Sequence, residues 1–294
     1  MTLLLRIASA LAAVAFALLA YVYLTLPDVR SLATSNPTTT AFMELRERDA
    51  ARAGKTTRHY QVWVPYSRIS QNLTRAVLVA EDDAFWEHEG VDMEQLKISI
   101  RSDIEGKAVR GGSTITQQLA KNLYLSPSRD PVRKLRELVI ARRLEAAMPK
   151  ARIFEIYLNV IEWGDGIWGV EAASRSYFGI SAASLGPDQA ALLAGAIINP
   201  RVYSPGRPNA RLLRRQSIIR ARMGGYAPPA AVAAAVAAAV VPVSSPREPA
   251  ELAEPSAAAA ASAPVERFEP SEPAKAAEPA QPPPSTGAAE PARN

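Results

Sequence analysis

Between Ile69 and Met223 apolar residues return every three or four positions, the spacing that lines one face of an α-helix. The pattern predicts helices over 69–81, 93–105, 114–123, 131–148, 151–161, 169–177, 187–198 and 209–223. The alternation of a half-buried strand is confined to HYQVWV at 59–64. A mainly α body is therefore expected.

The pattern breaks at both ends, in opposite directions. Residues 7–26, IASALAAVAFALLAYVYLTL, carry no charge and approach the roughly 20 residues that a bilayer core requires, so they read as a transmembrane anchor. A cleaved signal peptide is the competing reading. The run exceeds a usual apolar signal core of about 7 to 15 residues, and no small-x-small site directly follows it. Arg6 and the α-amine flank one side, Asp28 and Arg30 the other, and the orientation read from them puts residues 1–6 in the cytoplasm and the rest outside. Residues 27–54 are expected to be a juxtamembrane linker. Residues 226–294 are Ala, Pro, Glu and Ser with hardly an aromatic or branched apolar side chain, too little to offset ordering entropy, so a disordered tail is expected there. What remains, 55–225, is one folded domain of ordinary size.

Charge and composition narrow the chemistry. The net charge is +5 with a basic body and an acidic tail, and a basic body beside a membrane suits phosphates or anionic headgroups. The anchor argues against nucleic acid. No cysteine is present, which excludes a disulfide scaffold and a thiol nucleophile, and the two histidines, His59 and His88, cannot alone make a usual zinc site.

Three segments carry candidate chemistry. In AVLVAEDDAFWEHEG, Ile69, Leu73, Val77 and Glu81 follow at intervals of four, so Glu81 falls on an apolar stripe. A carboxylate there loses hydration and becomes a candidate acid or base, unless the helix simply ends in solvent at that point. RGGSTITQQLAKNLYL at 110–125 leads from glycines into a helix with Thr114 and Gln117 at capping-box spacing. Free amides at such an end favour an anion, and Gln117 and Lys121 share a face; a capped surface helix is the plainer alternative. In SRDPVRKLRELVIARRLEAAM, Arg129, Arg133 and Lys134 precede Glu137, which shares a stripe with Ala141, Leu144 and Met148. The cations could neutralise a phosphate or pyrophosphate, or Arg133 and Glu137 could form only an exposed pair.

Taken together, AEDDAFWEHEG at 80–90, RGGSTITQQLAKN at 110–122, RKLRE at 133–137, IYLNVIEWGDGIWGVEAASRSYFG at 156–179 and ALLAGAIINPRVYSP at 191–205 resemble, in order, the five motifs of the peptidoglycan glycosyltransferases. The lack of a second large domain and the EWGDG wording resemble the monofunctional branch of that family. Ile180 departs from the pattern, standing where relatives often carry lysine.

The resemblance implies a lysozyme-like helical glycosyltransferase domain on the outer face of the cytoplasmic (inner) membrane. It implies polymerisation of lipid II into β-1,4-linked glycan strands with inversion and release of undecaprenyl pyrophosphate. By the family pattern Glu81 matches the general base and Glu137 the second acid. Lys121, Arg129, Arg133 and Lys134 match cations facing the departing pyrophosphate, and Ser113 with Gln117 line the cleft. Asp82, Phe85, His88, Tyr157 and Asn159 are read as supporting residues. No cofactor is required on this reading, and a divalent cation (Mg or Mn) at Glu137 stays open. Lipid II, the growing strand, the membrane and other cell-wall synthesis and division proteins are the partners implied. The rivals are a lysozyme-like glycan-cleaving enzyme, which also uses a glutamate, and a catalytically idle cell-wall scaffold. The topology is directly testable: alkaline phosphatase fused after Gly225 is expected to be active in intact cells, and activity only of a cytoplasmic reporter fused there would reverse the orientation.

Overall fold

The computed structural model describes residues 2–93, 97, 112–128 and 130–226, and these are mainly helical. α1 (Thr2–Leu24) contains a 19-residue window, Leu3–Tyr21, long and apolar enough to cross a membrane and not buried against the body. Its second half meets the body, from Phe16 onward. The Arg136 guanidinium lies 5.4 Å from the Tyr21 ring centre and that of Arg143 4.6 Å from the Tyr23 ring centre, while Arg136 Nη2 donates to Thr25 Oγ1 at 2.7 Å.

The segment read as a linker, 27–54, is instead built into the body. Arg152 donates to the carbonyls of Leu32 and Ser35 and to Asn36 Oδ1 at 2.9, 2.8 and 2.8 Å. α2 (Ala41–Arg52) follows, started by the Thr40 hydroxyl, which accepts from the Met43 N–H at 3.1 Å. It packs on a later helix and reaches across to Glu162 through Arg46. Met43 is the one fully buried side chain of this helix. The segment is held by polar contacts and three widely spaced buried apolar side chains, Val29, Leu32 and Met43, which leave no periodic stripe to read.

α3 (Gln71–Glu81) fits the spacing argument: Ser70 caps it by accepting from the Asn72 N–H at 3.2 Å, and Leu73, Ala76 and Val77 are buried along one face. α4 (Ile115–Tyr124), α5 (Pro131–Ala147), α6 (Lys150–Val160), α7 (Val170–Phe178), α8 (Pro187–Ala196) and α9 (Ala210–Met223) follow within a residue or two of the predicted spans. The helix expected at 93–105 lies almost wholly outside the described residues, as does the tail from residue 227. α3 packs against α8 and α9, and α4 against α2, α5 and α6. The core between them joins Leu73, Ile115, Leu119, Leu144, Phe154 and Leu193, all fully buried.

The predicted strand shrinks to β1 (Tyr60–Gln61), which pairs parallel with β3 (Ile167–Trp168), itself antiparallel to β2 (Glu162–Gly164). Asn159 explains the truncation. Its Oδ1 accepts from the Val64 N–H at 2.9 Å and its Nδ2 donates to the Val64 carbonyl at 2.8 Å, so a side chain from α6 takes the place of a strand neighbour. The β2–β3 turn passes close to the chain before β1: Gly166 has φ +68°, and a Cβ there would lie 2.2 Å from the Arg58 carbonyl oxygen.

Phe154 is the hub of the aromatic core, with ring centres of Phe85 at 5.4 Å, Tyr66 at 5.9 Å, Trp86 at 6.3 Å and Tyr157 at 6.4 Å. Phe154→Ala is expected to lower unfolding free energy by about 3–5 kcal/mol. Urea denaturation checks this, and a loss under 1 kcal/mol would mean that the ring cluster is not the centre of the core.

Candidate active site

Glu81 is the last residue of α3, where the apolar face runs out into a cleft of about 220 Å³. Its side chain is 13% exposed, enough to be reached and too little to be fully hydrated. Burial raises the carboxyl above the ordinary glutamate range, against the opposing pull of Gln118, Arg215 and Lys121. Gln118 Nε2 donates to Oε2 at 3.1 Å and Arg215 Nη2 to Oε1 at 3.2 Å. The orientation of the Gln118 amide is fixed from behind: the Tyr157 hydroxyl donates to Gln118 Oε1 at 2.9 Å, which leaves the amide nitrogen to face Glu81. Tyr157 is fully buried, and burial lifts its phenol well above its ordinary value, so it remains a donor.

The residues after Glu81 serve α4. Asp82 accepts from His88 Nε2 at 3.0 Å and from the Ile115 N–H at 2.9 Å, and Thr114 accepts from the Gln117 N–H at 3.2 Å while donating to the Gly90 carbonyl at 2.7 Å. The helix start was expected to offer free amides to an anion. Those of Ile115 and Gln117 are instead engaged by Asp82 and Thr114. Gln117 does not complete a capping box either; its side chain turns to a lysine.

That lysine belongs to the second cluster. Glu137, buried on α5, accepts from Arg133 Nη1 at 2.6 Å and Lys134 Nζ at 2.5 Å. Lys134 Nζ also reaches Gln117 Oε1 at 3.3 Å and Ser113 Oγ at 3.4 Å. Ser113 lines the same cleft as Glu81, together with Gly112 and Thr114. Lys121 feels both carboxylates, Glu137 the more strongly; burial is the larger influence and lowers its ammonium below the usual lysine range. Three cations thus surround one carboxylate and leave an excess of positive charge beside the cleft. Both Glu137 oxygens are taken by side-chain cations, so a divalent ion would have to displace one of them. Among the described residues no three acidic or imidazole side chains converge as a metal would require.

The sequence candidates fall into one connected site: Glu81 and Ser113 on the cleft, Gln117, Arg133, Lys134 and Glu137 in one bonded network, and Lys121 between the two acids. Arg129 lies outside the described residues. Gln118 and Arg215 were missed. Gln118 neighbours the chosen Gln117 but projects toward α3. Arg215 sits on a helix with five arginines and no acid, a sign that partners lie elsewhere, without saying which arginine meets which acid.

This arrangement can remove a proton at Glu81 and neutralise an anion at the cation cluster, the requirements of a glycosyl transfer from a phosphate leaving group. The transglycosylase family model matches residues 48–224. The chain belongs to that family. It is 50% identical over 195 residues to the biosynthetic peptidoglycan transglycosylase of Janthinobacterium sp. (strain Marseille), covering 66% of this chain and 84% of that protein. It is 49% identical over 189 residues to the protein of that name from Dechloromonas aromatica (strain RCB), covering 64% and 82% respectively. The Aromatoleum aromaticum protein of the same name is 50% identical over 191 residues, with 64% and 82% covered.

The Glu137 cluster makes a stability prediction. Glu137→Gln removes the charge that two cations share, so it is expected to cost about 1.5–3 kcal/mol in chemical denaturation. A double-mutant cycle with Arg133→Gln should show coupling between the two sites. Purely additive losses would mean that the pair is not an energetic unit.

Proposed function

We propose that the chain is a membrane-anchored, inverting peptidoglycan glycosyltransferase that polymerises lipid II. The observation that carries the reading is the shared cleft. A partly desolvated carboxylate, Glu81, lines it together with Ser113, and Ser113 is in reach of Lys134, one of the cations gathered around Glu137. The acceptor is the 4-hydroxyl of the N-acetylglucosamine of one lipid II. Its oxygen attacks C1 of the N-acetylmuramyl end of the growing strand on the face opposite the pyrophosphate. The new β-1,4 bond forms as the C1–O bond to pyrophosphate breaks. The hydroxyl proton passes to Glu81, and undecaprenyl pyrophosphate departs as an anion that needs charge neutralisation more than it needs an acid. Glu137 holds Arg133 and Lys134 toward that departing charge. α1 supports a membrane location, and the body outside the cytoplasm is the orientation that meets the substrate.

A glycan-cleaving enzyme would have to protonate a sugar leaving group, for which a concentration of guanidinium and ammonium groups has no use. A scaffold without turnover would have no need to hold a carboxylate between Gln118 and Arg215 at the edge of a cleft. Incubating the purified full chain with labelled lipid II and resolving the products on a gel separates the three readings. A ladder of lengthening strands supports polymerisation; shortening of added strands, or no change in the lipid II, rejects it.

Glu81→Gln keeps the shape and the contacts to Gln118 and Arg215 but cannot accept the proton. Strand synthesis is expected to fall by about 10² to 10⁴, with the melting temperature and donor binding close to wild type. Because burial raises the Glu81 carboxyl above 4.5, its basic form is populated only above that raised value. The wild-type rate should therefore climb with pH through one apparent pKa displaced upward from ordinary glutamate. Near wild-type polymerisation by a folded Glu81→Gln protein would remove Glu81 from the role of base.

A further inference from the structure

α9 lies beyond the segments that carry the sequence motifs, yet one of its side chains reaches the proposed base. Its arginines have different destinations. Arg220 pairs with Asp188 at 2.8 Å and Arg211 lies 6.0 Å from the Tyr203 ring centre, both toward the surface, while Arg222 lines the cleft and is paired there with Asp83 at 2.8 Å. Arg215 turns inward, about one third exposed, with Nη2 3.2 Å from Glu81 Oε1. α9 packs closely on α8 at Gly195, where a Cβ would stand a tight 3.1 Å from Leu212 Cδ1 and in ordinary contact, 3.6 Å, with Arg215 Cγ.

We infer that Arg215 is a positioning residue for glycosyl transfer: its guanidinium holds the Glu81 carboxylate oriented and charged at the edge of the cleft, so that the base is ready at neutral pH. The inference rests on the reading of Glu81 as base. The surroundings leave this task to Arg215. From α4, Gln118 contributes a neutral donor to the other oxygen, and Lys121 acts on Glu81 through space. From α6, Tyr157 faces Glu81 as a neutral phenol behind Gln118. On the chain just after Glu81, Asp82 is engaged by His88 and Asp83 by Arg222. Arg215 is the cation with a direct contact to Glu81 among the described residues. A carboxylate with such a neighbour is held ionised against burial, and losing the neighbour returns it toward the protonated acid, which cannot act as a base.

The test compares Arg215→Gln, which keeps length and loses charge, with Arg215→Lys, which keeps charge and loses the fork. Arg220→Ala serves as a control on the same helix. Rates of lipid II polymerisation by the full chain are followed from pH 5 to 9, beside thermal melts. Arg215→Gln is expected to move the ascending limb upward by about one pH unit, with roughly tenfold less activity at neutral pH that recovers toward pH 9. Arg215→Lys should keep the limb close to wild type at a lower plateau, and Arg220→Ala should leave it in place. Should Arg215→Gln lack a melting transition, Arg215→Met, which keeps the packed stem without the charge, takes its place. An unmoved limb in the uncharged variant, whatever its rate, overturns the inference and leaves Arg215 a packing residue. A wild-type chain that makes no polymer rejects the underlying function instead, and this inference with it.

Discussion

Holding a carboxylate half out of water at the end of an apolar helix face is the constraint on which the rest of the site depends. Glu81 is covered far enough that its charged form is penalised, and without compensation such a group would simply stay protonated. Compensation arrives from several elements. α4 brings Gln118, whose amide is aimed by Tyr157 of α6, and α9 brings Arg215. The packing of α3 on α8 and α9, and of α4 on α6, therefore does more than fill a core. It sets the direction from which each donor meets the two oxygens of one side chain.

The second acid obeys the opposite rule. Glu137 is buried as well, but Arg133 and Lys134 each donate to one of its oxygens, an arrangement suited to fixing the two cations. The division of labour between the two glutamates follows from what covers them: neutral amide plus one guanidinium on the first, two cations on the second. α4 links the clusters, since within two turns of one helix Gln117 meets Lys134, Gln118 meets Glu81 and Lys121 feels both acids.

How much of this was legible in the sequence depends on whether a feature leaves a period. Glu81 was readable because Leu73 and Val77 lie on its face at steps of four, and the helices from α3 to α9 were readable for the same reason. α2 was not, because Met43 is its single fully buried side chain and it is otherwise attached through scattered contacts such as those of Thr40, Phe42 and Arg46. The strand expected through Val64 stopped early because Asn159, ninety-five residues away in sequence, supplies the partner atoms. Periodicity places a residue on a face but does not say what that face meets. Gln117 was chosen over Gln118 and Arg215 passed unnoticed because the approach of α4 and α9 to α3 is a tertiary fact.

The cation cluster and the anchor share α5, and that sharing gives the proposed reaction its geometry. Lys134 reaches Ser113 on the cleft and shares Glu137 with Arg133, while Arg136 and Arg143, seven residues apart and so on one helical face, hold the end of α1 through Tyr21, Tyr23 and Thr25. At 1.5 Å per residue, Lys134 and Arg143 are separated by roughly 14 Å along the helix. The pyrophosphate of a lipid-linked sugar sits at the surface of the bilayer that holds its tail. With α1 in that bilayer, a single rigid helix sets the height of the leaving-group cations above it. Glu81 lines a cleft with Ser113, which Lys134 reaches. On the proposed reading, a lipid-linked donor would meet these cations while its tail stays in the membrane.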